Sequence, residues 1–277
     1  MKKLRKFVLP GFGILAVLTF QTLSVAQNGP APGAAPGGPA GGAAPGGGGP
    51  GFGPGGGGGR GGGGRGGGRG GTPDHPRSLA PYFAPATASP KAPDNDGFLQ
   101  RWLLLAPIRK PNNSNTVFTD SYVRNAFNTE YFPNQFTVVP HDGDKVTVAD
   151  QELAWHAVDS QLFNVKLFRF ADALTNQTYG VIFWAVTVVN CPQEMKNVRL
   201  AVGSNSASQW WVNGQDAVIL SGDRRMVMDD CVSKRLTLHQ GRNVIRGAVI
   251  NGPGLSDVCA RLIDENGQPI KNITLEP

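Results

Sequence analysis

The side chains in this 277-residue chain that are best able to do chemistry are few and poorly placed for it. Asp229-Asp230 and the nearby pair Asp142 and Asp144 bring carboxylates close together in sequence. Glycosidic hydrolysis needs two carboxyls facing each other across a cleft. Adjacent residues on a strand point to opposite faces, so Asp229-Asp230 reads as a pair of solvated loop acids. Gly203-Ser204-Asn205-Ser206 lacks the Gly-x-Ser-x-Gly spacing of a nucleophile elbow. His141, His156 and His239 have no second His or Cys at metal-ligand spacing, and His75 lies in a glycine-rich stretch. Asp94-Asn95-Asp96-Gly97 opens like a calcium loop, but the bidentate Glu that closes one does not follow. The expectation is a chain with no catalytic residues and no metal-ligating side chains.

Recognition fits the residue types better. A sugar offers a flat apolar C–H face and a rim of hydroxyls, which suits an exposed aromatic ring beside Asn, Asp, Arg or Gln. Trp210 and Trp211 are neighbours on one strand, so one faces the core and the other the opposite surface. Trp102, Trp155, Trp184 and one of that pair are expected in the core. The expected ligand site is the loop edge carrying Asn205, Ser206, Asn213, Arg224 and Asp230, with Trp210 as its ring.

These residues sit among many short strands. Apolar and β-branched runs recur at Trp102–Leu105, Thr137–Val139, Phe163–Phe170, Val181–Val189, Val198–Val202, Trp210–Val212, Val218–Leu220, Arg235–Leu238, Val244–Ile250 and Val258–Ile263. Turn residues separate them, among them Asp142-Gly143, Asn213-Gly214, Gly241 and Asn266-Gly267. Asn-Gly is the pair that a two-residue type I′ hairpin favours, because both central residues need positive φ. No stretch keeps a helical period over three turns, and Asp150–Ser160 comes nearest. Val181-Ile182-Phe183-Trp184 is apolar on both faces and predicts a strand at a sheet centre. The pattern predicts an all-β, two-sheet sandwich over residues 94–277.

Two segments stand outside that fold. Lys2, Lys3, Arg5 and Lys6, an apolar run from Phe7 to Phe20, and Ser24-Val25-Ala26 predict a secretory signal peptide over residues 1–26. Pro10, Gly11 and Gly13 interrupt an apolar run shorter than the ~20 residues a span needs, so no membrane span is expected after cleavage. Residues 27–93 hold 26 of the chain's 39 glycines, with Pro, Ala and Arg, and predict a disordered tether. The formal charge of +6 comes from these segments. Residues 94–277 carry 17 Lys and Arg against 19 Asp and Glu, which argues against nucleic-acid binding by the folded surface.

Within the folded part, Gly97-Phe98-Leu99-Gln100-Arg101-Trp102, Leu153-Ala154-Trp155, Tyr179–Val189, Val202-Gly203-Ser204-Asn205, Trp211-Val212-Asn213-Gly214, Gly241-Arg242-Asn243-Val244 and Asn251-Gly252 follow in order. This series resembles the galactose-binding-like jelly roll, in the version related to the sugar-binding domain of β-galactosidase and β-glucuronidase-type glycoside hydrolases. The chain departs from that pattern at Ala106-Pro107-Ile108, where the family usually reads Gly-Pro-Phe, and at Asn205, where an Asp is common. The resemblance implies a secreted or periplasmic, non-catalytic accessory module of polysaccharide degradation. Its implied partners are a plant or cell-wall carbohydrate or a partner hydrolase. A structural calcium held by loop carbonyls would be in keeping with it. Rival readings are an envelope module that docks on protein, and a small polysaccharide esterase or glycoside hydrolase. In the related sandwiches, the strand matching Val181–Cys191 runs antiparallel to the one matching Cys231–Leu238. That implies a Cys191–Cys231 bridge in an oxidising compartment, worth about 4 kcal/mol in the chain-entropy model. Cys259 is expected to be a small buried residue.

Overall fold

The computed structural model describes residues 77–112, 114–175 and 177–276. The expected signal peptide and the first part of the expected tether, through residue 76, lie outside the described residues. In chain order the elements are β1 (Phe83–Pro85), β2 (Arg101–Leu105), β3 (Ile108–Arg109), a 3₁₀ turn (Asn115–Val117), α1 (Asp120–Asn128), β4 (Lys145–Val148), β5 (Gln151–Ser160) and α2 (Leu167–Leu174). There follow β6 (Val181–Cys191), β7 (Met195–Ser204), β8 (Ala207–Val212), β9 (Gln215–Leu220), β10 (Cys231–Val232), β11 (Leu236–Leu238), β12 (Gly241–Asn251), β13 (Val258–Ile263) and β14 (Thr274–Glu276).

They form two antiparallel sheets. The larger runs β1-β5-β2-β6-β12-β8-β9, with β3 and β14 also on β6 and β4 also on β5. The smaller is built on β7, which pairs with β10, β11 and β13. At the centre, β6 and β12 pair without interruption from Cys191 opposite Gly241 to Val181 opposite Asn251. The β2 register places Leu103 opposite Val186 and Leu104 opposite Ala185.

Strand alternation divides the apolar side chains of the large sheet between two cores. Leu104, Phe183, Ala185, Trp210, Val212, Ile245 and Val249 face the smaller sheet, where they meet Val198, Leu200, Val202, Leu238, Val258, Ala260 and Leu262. Helix α2 adds Leu167, Phe170 and Ala171 to that core. The alternate residues Leu103, Leu105, Ile182, Trp184, Val186, Trp211, Ala248 and Ile250 face outward into a second core. It is closed by Val123, Ala126 and Phe127 of α1 with Phe118 and Phe132. The expected two-sheet sandwich is therefore present, and Val181–Trp184 lies in its central strand, buried on both faces.

Five details differ from the sequence reading. Residues 83–85 pair with β5, and Lys91 bridges Leu275, so part of the stretch expected as tether is built into the sandwich. Phe163–Phe170 is not a strand: eight residues from Leu167 form α2, an amphipathic helix that buries Leu167, Phe170 and Ala171. Thr137–Val139 is not a strand either, but part of the segment that lies over the outer core. Asp120–Asn128 forms helix α1 although no stretch there keeps a helical period, while Gln151–Ser160, within the stretch that came nearest to one, is the long strand β5.

The cysteine pairing also differs. β6 pairs with the eleven-residue β12 rather than with Cys231–Leu238, because only β12 matches its length and apolar register. Cys231 lies in the smaller sheet opposite Val202, while Cys191 ends a strand of the larger one. All three cysteines are free thiols. Cys259 is buried, and desolvation pushes its thiol up to about 11, so it behaves as an apolar residue.

Trp210, expected as an exposed ring, is wholly buried. Its indole meets Trp102 edge to face at 5.9 Å and donates to Ser208 Oγ at 3.0 Å. Position 247 on the neighbouring strand must be glycine, since a Cβ there would lie 2.5 Å from the Trp210 ring. Trp210→Ala should cost about 3–5 kcal/mol, as emptying a core of a large aromatic does. The urea midpoint should fall with an unchanged slope. A change within about 0.5 kcal/mol would place the ring on the surface instead.

Candidate functional site

The expected site residues do not share one location. Asn205 and Ser206 occupy the β7–β8 turn, whereas Asn213 begins the β8–β9 turn at the other end of β8, roughly 20 Å away at strand rise. Ser206 is buried, donates its backbone N–H to Ser204 Oγ at 3.1 Å, and donates its hydroxyl to the Ile250 carbonyl. Asn205 gives its backbone N–H to the Asp257 carbonyl at 2.9 Å. Both hold the turn in place. Arg224 and Asp230 pair with each other in the loop after β9.

The carboxylates singled out for chemistry are also engaged structurally. Asp229 binds Arg261, with Nε 2.9 Å from Oδ1, so Asp229 and Asp230 serve different arginines. Asp142 accepts from the Ala157 N–H at 2.8 Å, and Asp144 from the His141 N–H at 2.7 Å. Asp94 accepts from the N–H groups of Asp96 and Phe98, which closes its own loop. Among the described residues, no group of three or more His, Cys, Asp or Glu is arranged to hold a metal ion.

Asn213 leads to a different site. Asn213 and Gly214 have φ of 50° and 78°, the positive values expected of a type I′ Asn-Gly turn. The Asn213 amide donates to Asn243 Oδ1 at 2.9 Å and accepts from the Val244 N–H at 2.9 Å. Asn243 is buried and also grips His239 and Gly241, which ties this hairpin to the start of β12. The fixed hairpin forms one wall of two adjoining hollows of about 220 and 230 Å³. Phe136, Gly214 and Arg246 line both; Asn213, Thr137 and Val244 complete one, and Trp211 and Asn128 the other.

The aromatic part of this cleft is rigid. Trp211 is stacked on Trp184 at 5.7 Å and 11° between planes. Phe136 stands nearly perpendicular to both, 5.7 Å from Trp184 and 6.1 Å from Trp211. Trp211 is 8 % exposed and Phe136 half-buried, so the cleft meets ring edges and faces that are already fixed.

Arg246 is the unusual residue. It occupies a central strand, opposite Trp211 on one side and Val186 on the other, and is 4 % exposed. One nitrogen donates to the Val138 carbonyl at 2.7 Å. Another, Nη1, is buried with no hydrogen-bond partner. Burial alone pulls its pKa down to about 10, and no acid offsets it. The group is still charged at neutral pH. Asp216, across from Trp211, gives its carboxylate to Arg124 and Gln209 instead.

A second cleft of about 370 Å³ is lined by Pro107, Arg109, Gln151, Leu153, Thr175 and Gln177. It has no aromatic wall, and Arg109 is well exposed and paired with Gln177 and Asp150. The Phe136–Trp211–Arg246 cleft is the stronger candidate. Sequence reasoning missed it because Arg246 lies in an apolar run and Phe136 in a segment that reads as a strand edge. The available signal was the one arginine inside Val244–Ile250.

No family model matches the chain, and no curated protein does. Among solved structures, the chain resembles a PA14 sugar-binding domain from an RTX adhesin, at 12% identity and a TM-score of 0.33 over 62% of this chain and 95% of that one. It also resembles the PA14 domain of MpAFP antifreeze protein, at 10% identity and 0.35 over 70% of this chain and 96% of that one. A β-glucosidase from Kluyveromyces marxianus, in complex with glucose, matches at 18% identity and 0.31, over 47% of this chain and 16% of the enzyme.

A buried charge without a counter-charge is costly to the fold. Arg246→Met, which keeps the length of the stem, should therefore stabilise the chain by about 1–4 kcal/mol, measured as a higher urea midpoint. A loss of stability of that size would mean that the bond to Val138 outweighs the desolvation.

Proposed function

We propose that this chain is a non-catalytic carbohydrate-binding module, exported and tethered by its glycine-rich segment, and that it serves as an accessory to polysaccharide degradation. The observation that carries this reading is the cleft at the β8–β9 hairpin. Half-buried Phe136 and the edge of Trp211 supply apolar ring surface, Asn128 and Thr137 supply an amide and a hydroxyl at the rim, and Arg246 supplies positive charge at the floor. Sugar binding calls for that combination of a flat apolar surface and a few oriented polar groups. Hollows of about 220 and 230 Å³ fall short of the ~300–1,000 Å³ usual for drug-sized ligands, a size suited to one ring or a chain end. The acids that a hydrolase would need are spent on arginines and turns.

A glycan array probed with the full chain tests this, with Phe136→Ala beside the wild type. The wild type should bind at least one glycan class, and loss of the ring should weaken it about tenfold, the effect of removing about 1–2 kcal/mol of aromatic contact. An array blank for the wild type would overturn the carbohydrate reading. Turnover of a chromogenic acetyl or glycosyl substrate by purified chain would overturn the non-catalytic one.

A further inference from the structure

The floor of the cleft is asymmetric in charge. A cation sits in the middle of an apolar sheet face, between Val186 and Trp211, at a place where every other outward residue of the neighbouring strands' central part is apolar or amide. Burial removes its hydration, and the protein returns one carbonyl, that of Val138. Nη1 is left without a partner. Nothing in the packing requires an arginine here: Leu or Met would fill the space between Val186 and Trp211 without the desolvation penalty. The remaining charged groups nearby do not relieve it. Arg124 is itself a cation, engaged by Asp120 and Asp216, and the second oxygen of Asp216 accepts from Gln209.

An uncompensated, buried guanidinium at the bottom of an open cleft is a receptor for an anion. Its charge is delocalised over the whole planar group, so an anion against the edge that faces the cleft gains from it even though Nη2 is held by Val138 and Nη1 lies beneath the surface. The rest of the cleft narrows the ligand. Phe136 and Trp211 provide ring surface, and Asn128 and Thr137 line the mouth with an amide and a hydroxyl. A free anion such as acetate would leave the rings and these polar groups unused.

Building on the reading of the cleft as a sugar site, we propose that its ligand is an acidic sugar, a uronic acid residue whose carboxylate is received by Arg246 while its ring lies against Phe136. Neutral hexoses enter the same cleft but leave the guanidinium without its counter-charge.

The test is calorimetric titration of the full chain with methyl β-glucuronide, its carboxyl methyl ester, methyl β-glucoside and acetate. The ester and the glucoside keep the ring and remove the charge without altering the protein. The glucuronide should bind about tenfold or more tightly than any of the other three. In Arg246→Met the glucuronide should fall to the level of the glucoside, and in Arg246→Lys it should keep only part of its advantage, since a compact ammonium is the more strongly hydrated cation and spreads its charge less. The glucoside and ester binding as tightly as the glucuronide would overturn the acidic-sugar proposal and leave the carbohydrate reading standing. Acetate matching the glucuronide would overturn it in favour of a bare carboxylate site. Silence from all four, with a blank glycan array, would overturn both.

Discussion

The large sheet is apolar on both faces, and the structure follows from the need to cover both. The inner face has a partner in the smaller sheet, built on β7. The outer face presents Leu103, Leu105, Ile182, Trp184, Val186, Trp211, Ala248 and Ile250, and no third sheet covers it among the described residues. Burying such side chains contributes about 1.5–3 kcal/mol each, so an uncovered face would forfeit much of the domain's stability. The cover comes from residues between β3 and β4: Phe118, α1 with its Thr119 cap, and the segment carrying Phe132 and Phe136. That cover ends at the β8–β9 hairpin, and the cleft is the margin where it stops.

The sandwich was legible because its strands follow the rules that sequence expresses most directly. β6 and β12 are long apolar runs, the Asn213-Gly214 turn has the backbone that Asn-Gly favours, and Val198, Leu200 and Val202 fall together on the inner face of β7. The helices were not legible because they are short and held by tertiary burial. Eight residues of α2 are too few for a period to stand out, and their apolar content reads equally well as strand. Which of Trp210 and Trp211 faces inward cannot be settled by alternation, which says only that they differ. The choice depends on register against Gly247, whose missing Cβ leaves room for the Trp210 indole.

The site was the least legible part, for a physical reason. Sequence reasoning looks for ligand-binding groups on loops, and it gathered Asn205, Ser206, Arg224 and Asp230 there, where they hold turns and each other in place. The residue that stands out in the fold is on a central strand. A cation is costly in that position, and its place is evident only once Val186, Trp211 and Val138 are seen around it. Asn213 alone belongs to both pictures, as the turn residue that sequence pointed to and as one wall of the cleft. Positions where local rules are broken are where function is expected to be found.

The central claim is that ligands enter at the hairpin margin of the outer core and not at the β7–β8 turn. Amide and indole NMR shifts of the isotope-labelled full chain, followed during titration with a bound glycan, test it most directly. Shifts should concentrate at Asn128, Thr137, Gly214 and the Trp211 indole, with residues 203–206 and 221–230 unmoved. Shifts confined to those two loops, with the hairpin silent, would contradict it.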